Sequence, residues 1–255
     1  MGFGVEETAV VKVMMFHIGR SGSQVLGDML QQHPHLFWDH EVYIHQLQAA
    51  RIQGLASPQG NPVLLLQERL ERATATMYGA EVKFFHLRLF QMPLPEFFER
   101  LLELGFLHFV VLKRKNYLRK VVSSLVAQQT KQWHQQPGQP QVLTPIDLNL
   151  NRVSIDWAHM PLLAHLAQYA QDFAAIQMML EPFSPLNLIY EDDILLDPQI
   201  GYAKCCHYLN IDNIEVIVRY GRSNPFPLRE IITNYAEVAG ELNGTPFEWM
   251  LSDEE

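Results

Sequence analysis

Apolar residues fall into short runs set off by polar turns, and between these runs lie longer stretches with helical spacing. The clearest run is Ala9-Val10-Val11-Lys12-Val13-Met14-Met15-Phe16, interrupted by one lysine and ended by a glycine turn. A run of this length bounded by turn residues predicts a strand. Positions 23–32 then carry helical spacing until His33-Pro34 stops it. The same alternation recurs down the chain. Further strands are predicted at 82–86, 108–112 and 187–190, and helices over 67–78, 94–104, 117–133, 159–180, 198–209 and 228–242. Strands alternating with helices imply parallel pairing through right-handed crossovers, the signature of an α/β fold. No internal repeat is visible, and the Gln-, Pro- and Gly-rich stretch around 134–146 reads as a mobile loop, because the α/β pattern resumes after it. The expectation is therefore one domain over residues 1–255.

Composition narrows the partners. The chain carries 28 acidic against 19 basic residues, a formal charge of −9, which disfavours nucleic acid or any other long polyanion. A small anion stays open, since a few local donors hold one against the global sign. No apolar run reaches the roughly 18–20 residues that span a bilayer, and no transmembrane segment is expected. The stretch Met1 to Thr8 has neither a basic nor an apolar leader-like region, so a cytoplasmic location is expected. The two cysteines, Cys205 and Cys206, are adjacent, lack metal-site spacing, and are expected to be buried thiols.

Two segments carry candidate chemistry. His17-Ile18-Gly19-Arg20-Ser21-Gly22-Ser23-Gln24 lies between the first strand and its helix. Glycines at 19 and 22 permit a tight turn, backbone N–H groups converge at a helix N-terminus, and Ser21 and Ser23 add hydroxyl donors, which together make an anion cradle. An ATP-binding P-loop would place Gly-Lys-Ser/Thr at the end of the loop; here Ser23-Gln24 follows Gly22 and the cation, Arg20, comes earlier. The second segment is Lys113-Arg114-Lys115-Asn116 at the end of the strand at 108–112, where open parallel sheets bind ligands. Ser123 lies seven residues beyond Asn116, on the same helix face. A solvated basic turn would read the same way.

With these residues in place, the chain resembles the PAPS-dependent sulfotransferases, and more closely the bacterial branch that includes nodulation-factor and trehalose sulfotransferases. Gly19-Arg20-Ser21-Gly22-Ser23 looks like the 5′-phosphosulfate loop of that family, and Arg114-Lys115-Asn116 through Ser123 is similar to its 3′-phosphate motif. The islands Tyr190-Glu191-Asp192 with Asp197-Pro198, 228–238, and Leu242-Asn243-Gly244-Thr245-Pro246-Phe247 resemble further elements of the branch. The resemblance implies a P-loop nucleotide-kinase-like three-layer fold with a central parallel sheet flanked by helices. It also implies transfer of a sulfuryl group from 3′-phosphoadenosine 5′-phosphosulfate (PAPS) to a hydroxyl of a small, sugar-bearing or lipid-linked acceptor. The product is adenosine 3′,5′-bisphosphate, and no metal is expected.

By the same resemblance Arg20, Ser21, Gly22, Ser23 and Gln24 hold the 5′-phosphosulfate, and Arg114, Lys115 and Ser123 the 3′-phosphate. Gln24 stands where many members carry a hydroxyl. Lys115 aligns with the family arginine and Arg114 is shifted by one, so which cation reaches the phosphate stays open. The acceptor needs a base, and Glu41 sits at the matching place; its neighbour His40, whose ordinary pKa near 6.5 suits the task, is the rival. Arg20 is the cation expected to meet the leaving phosphate. Lys83 and His86 could reach the same crevice but stay outside the core set. A P-loop kinase using ATP, a non-catalytic nucleotide-binding protein, and the oligomeric state, a homodimer included, are left open.

Overall fold

The computed structural model describes residues 10–73, 75–136 and 138–252. Five parallel strands form the central sheet: β1 (Val11–His17), β2 (Leu36–Glu41), β3 (Met77–Lys83), β4 (His108–Lys113) and β7 (Leu186–Ile189), in the order β2-β3-β1-β4-β7. Ala9, at the head of the predicted first strand, lies outside the described residues. Alternation of side chains splits β1 between two cores. Val13 and Met15 pack with Leu26, Met29 and Leu30 of α1 (Ser23–Gln31) and with Tyr202, Cys205 and Cys206 of α8 (Pro198–Leu209). Met14 and Phe16 pack on the opposite face with α5 (Leu94–Glu103), α6 (Tyr117–Thr130) and α7 (Leu162–Leu180). A strand covered by helices on both faces needs no polar side, which is why β1 reads as a near-continuous apolar run. Both cysteines are buried free thiols, as expected. Among the described residues no helix is long and apolar enough to cross a membrane.

Several element boundaries differ from the sequence reading. The helix expected over 67–78 is α3 (Pro62–Glu71), started by Asn61, whose Oδ1 accepts from the Val63 N–H at 2.8 Å with Pro62 in the first turn. Met77 and Tyr78 instead belong to β3, which ends at Lys83 where α4 (Phe84–Leu89) begins; the apolar run 82–86 straddles a strand end and a helix start. The helix expected from 159 begins at Leu162, because Ala158–Met160 forms β6, paired antiparallel to β5 (Val153–Ile155). The closing helix is broken into α9 (Leu228–Ile231) and α10 (Tyr235–Leu242). Strand β2 and helix α2 (Ile44–Ile52) were not expected. Neither shows a clean period, since β2 buries Leu36, Trp38 and Asp39 in an irregular pattern.

The strand order creates one switch point. From β1 the chain leaves toward β2 on one side, and from β4 it leaves toward β7 on the other, so the loops after β1 and β4 diverge and open a crevice between them.

Candidate active site

The loop after β1 turns through three left-handed residues, Gly19 (φ 77°), Arg20 (φ 54°) and Gly22 (φ 79°), and delivers Ser23 as the first residue of α1. Only glycine suits position 22. A Cβ there would stand 2.5 Å from Ile194 Cγ2, on the segment that follows β7. No side chain caps α1, so the helix presents its first N–H groups and the positive end of its dipole to the crevice. Ser21 is wholly buried, and its hydroxyl finds no hydrogen-bond partner among the described residues.

The turn after β4 closes on this loop. Arg114 donates from Nη1 to the Arg20 carbonyl at 2.6 Å and lies over the Tyr190 ring at 4.6 Å. Arg20 in turn donates to Ser123 Oγ at 2.9 Å, to the Trp133 carbonyl at 2.5 Å and to Ser223 Oγ at 2.6 Å. Burial together with the neighbouring Arg114 brings the Arg20 guanidinium down to about 10, which leaves it charged at neutral pH. The buried carboxylate of Glu191 accepts from the Lys115 and Asn116 N–H groups at 2.9 and 3.0 Å and fixes the turn. Lys115 itself points away: its side chain is 44% exposed and its Nζ lies 2.8 Å from both Asp192 carboxylate oxygens.

On the other side of the loop, β2 and β3 end in a polar cluster. Between Trp38 and Glu41 the register against β3 slips by one residue, and His40 takes a left-handed φ of 43°. This bulge turns His40 and Glu41 toward the same cavity, where a regular strand would send neighbours to opposite faces. Glu41 Oε1 lies 2.6 Å from Lys83 Nζ, and its Oε2 3.7 Å from His86 Nε2. His86 Nδ1 faces the Lys83 N–H at 3.4 Å and is an acceptor there, so the ring carries its proton on the nitrogen turned to Glu41. Burial first, then Lys83 and His17, hold His86 well below the usual histidine range, and it is neutral at pH 7.

His17 follows the same logic. Its Nδ1 accepts from the Gly19 N–H at 3.2 Å, which puts its proton on Nε2, 3.4 Å from Glu81 Oε2. Burial, with Lys83 and Lys120, lowers its pKa strongly. The other oxygen of the buried Glu81 accepts from Trp38 Nε1 at 2.7 Å and lies 3.7 Å from His40 Nδ1. Helix α1 passes so close that a Cβ on Gly27 would stand 2.5 Å from Glu81 Oε1. Burial alone would lower the pKa of His40, but the negative charge of Glu81, with Asp28 and Asp39, outweighs it and raises the value.

A third wall comes from the β5–β6 turn. Asp156 and Trp157 occupy it with φ of 52° and 61°. Asp156 is bound by Lys120 Nζ and by the Tyr169 hydroxyl, and Lys120, wholly buried, also donates to Tyr169 at 2.8 Å. Burial, partly offset by Asp156, brings the Lys120 ammonium down to about 8.

These walls enclose one cavity of about 1020 Å³, at the top of the range that takes a drug-sized ligand. Arg20, Gly22, Ser23, Gln24, Arg114 and Ser123 line it with His40 and Glu41; Ser21 is buried behind the loop, and Lys115 lies outside the cavity. Lys83, His86, Lys120, Asp156 and His134 also line it. Of these only Lys83 and His86 drew notice in the sequence. Lys120 and Asp156 gave no local signal, since a lysine in a helix and an aspartate in a turn are ordinary until they meet.

In fold, the chain is similar to the crystal structure of a sulfotransferase from Alicyclobacillus acidocaldarius, with a TM-score of 0.58 over 95% of this chain and 94% of that one at 13% sequence identity. No protein-family model matches the chain, and no curated protein matches it in sequence.

Proposed function

We propose that the protein is a sulfotransferase that moves a sulfuryl group from PAPS to the hydroxyl of a small, sugar-bearing or lipid-linked acceptor. The observation that carries this reading is the joining of the β1 and β4 tips by Arg20 and Arg114, with a carboxylate and a lysine paired at the same cavity. An uncapped helix N-terminus, the Arg114 guanidinium and the Ser123 hydroxyl suit a nucleotide phosphorylated at both ends. The likeness in fold to a sulfotransferase points the same way without fixing donor or acceptor.

The donor supplies a sulfuryl group on a phosphosulfate anhydride. The loop N–H groups after Gly19 and the side chains of Ser23 and Gln24 hold its 5′ end, and Arg114 with Ser123 holds the 3′-phosphate. Glu41 takes the proton of the acceptor hydroxyl as the acceptor oxygen bonds to sulfur and the bond from sulfur to the phosphate oxygen breaks. Lys83, between Glu41 and the loop at Gly19, stabilises negative charge on the moving group and its leaving oxygen. It shares that role with Arg20, three of whose five N–H donors go to Ser123, Trp133 and Ser223 and brace the loop. His40 faces Glu81 and is a weaker candidate for the base than Glu41.

Calorimetry without magnesium tests the donor site: adenosine 3′,5′-bisphosphate is expected to bind at least tenfold more tightly than AMP or ATP. Equal affinity for AMP would remove the 3′-phosphate site and the reading with it. Transfer of radiolabelled sulfate from PAPS to an extract of acceptors then separates an enzyme from a nucleotide-binding protein without turnover.

A further inference from the structure

The wall at the β5–β6 turn has no part in the mechanism above. Trp157 lines the cavity with 38% of its surface exposed, while Asp156 beside it is tied down. Consecutive left-handed residues in a two-residue hairpin turn are places for asparagine and glycine, and a tryptophan there is an outlier that surrounding contacts must hold. The turn is held through Asp156, whose carboxylate accepts from Lys120 and Tyr169. Lys120 sits one turn of α6 before Ser123, which accepts from Arg20, so a single helical turn fixes the Trp157 wall relative to the anion loop. The same cavity is lined by the apolar Ile155 and Phe85 and by Ser154, whose hydroxyl lies 2.8 Å from His159 Nδ1.

We propose that Trp157, held by Asp156, Lys120 and Tyr169, selects the acceptor by stacking its indole on a rigid ring that carries the reacting hydroxyl at its edge. The inference rests on the sulfuryl-transfer reading, and it goes further in naming the shape of the acceptor and the residue that reads it. A flat C–H face of a pyranoside and the π face of a phenol offer the same surface to an indole.

The test uses the full chain loaded with adenosine 3′,5′-bisphosphate and three probes observed by ligand NMR: methyl α-D-glucopyranoside, 4-methylumbelliferone and the acyclic 1,6-hexanediol. Trp157→Asn suits the left-handed turn and removes the indole, whereas Trp157→Phe keeps a ring. Trp157→Asn is expected to weaken at least one ring probe about tenfold, Trp157→Phe to restore most of that loss, and the diol to be indifferent to both. Which ring probe responds tells a sugar from a phenol. Ring probes that bind Trp157→Asn as they bind the wild type, or that fail to bind the wild type, overturn the inference. Bisphosphate affinity, measured separately, is expected to stay within about twofold in both variants. Should the wild type fail to bind bisphosphate, the donor reading falls, and the ring probes compared on the unloaded proteins still decide the role of Trp157.

Discussion

At the tips of β1 and β4 the cavity is walled mainly by one continuous loop, Gly19 to Gln24, and one turn at Arg114, whereas at the tips of β2 and β3 it is walled by single side chains, His40, Glu41, Lys83 and His86. The loop from Gly19 to Gln24 and the turn at Arg114 present backbone N–H groups, a helix end and two guanidinium groups, of which that of Arg20, brought down to about 10, stays charged at neutral pH. The cluster of Glu41, Lys83, His86, His17, Glu81 and His40 brings carboxylates, an ammonium and imidazoles together, and there burial and nearby cations lower the pKa of His17 and His86. An anion cradle can be written into a short stretch of sequence. Acid–base chemistry needs groups placed by the whole sheet.

If the two halves carry separate tasks, the sharpest break comes at Glu41. Glu41→Gln keeps shape and loses the base, so sulfate transfer is expected to fall about 10²- to 10⁴-fold while calorimetric affinity for the bisphosphate stays within about twofold. Loss of both together would show that the halves are one unit and that Glu41 shapes the nucleotide site.

What the sequence made legible follows the same division. The strand β1, its glycine turn and α1 are local and periodic, and the Gly19–Gln24 loop could be placed in the fold from its letters and position. The convergence of Arg20 with Ser123 is separated by 103 positions and appears only once β4 lies beside β1. Glu41 was reachable through resemblance. The bulge that aims it, the pairing with Lys83 and the buried histidines behind it depend on a register slip between β2 and β3 that no local pattern announces. Strand β3 was misplaced for a related reason: a short apolar run at 82–86 fits a buried strand and a buried helix start equally well.

The buried histidines make a prediction about stability. His17 and His86 have folded-state pKa values well below the ordinary 6.5, so between those values the unfolded chain binds more protons than the folded one. Their stabilising contribution is therefore full above pH 6.5 and is lost as pH falls below it, with a slope approaching about 2.7 kcal/mol per pH unit for the two together. His40, whose pKa is raised, acts in the window above 6.5 and with the opposite sign, so it adds no slope below 6.5. Urea unfolding from pH 7.5 to 5.5 measures this; His134 and His165, also held below 6.5 by burial, add to the same slope, of which His17→Asn, which keeps an acceptor for the Gly19 N–H, should remove about 1.4 kcal/mol per pH unit. A flat profile below 6.5 would mean that these rings are already charged in the fold.

On the anion side, Arg114→Ala removes a buried cation that both lines the cavity and holds the Arg20 carbonyl. Bisphosphate affinity is expected to drop about 10- to 100-fold, the range of a lost charge-assisted hydrogen bond, with AMP much less affected. Arg114→Lys keeps the charge without the planar fork and should fall between. An equal loss for AMP and the bisphosphate would move Arg114 from the 3′-phosphate to the loop alone.

The smallest effect belongs to the neighbouring cation, and it tests whether sequence position or side-chain direction decides. Lys115 stands where the resemblance to sulfotransferases leads one to expect an arginine, yet its ammonium sits outside the cavity on Asp192, in a pair exposed enough to contribute little. Its useful part is the backbone N–H held by Glu191, which any side chain preserves. Lys115→Ala is therefore expected to change bisphosphate affinity less than twofold by calorimetry, whereas Glu191→Gln, which weakens the grip on that turn, should cost more. A tenfold loss on Lys115→Ala would mean that the lysine swings in to meet the 3′-phosphate, and that alignment outranks the direction the side chain takes here.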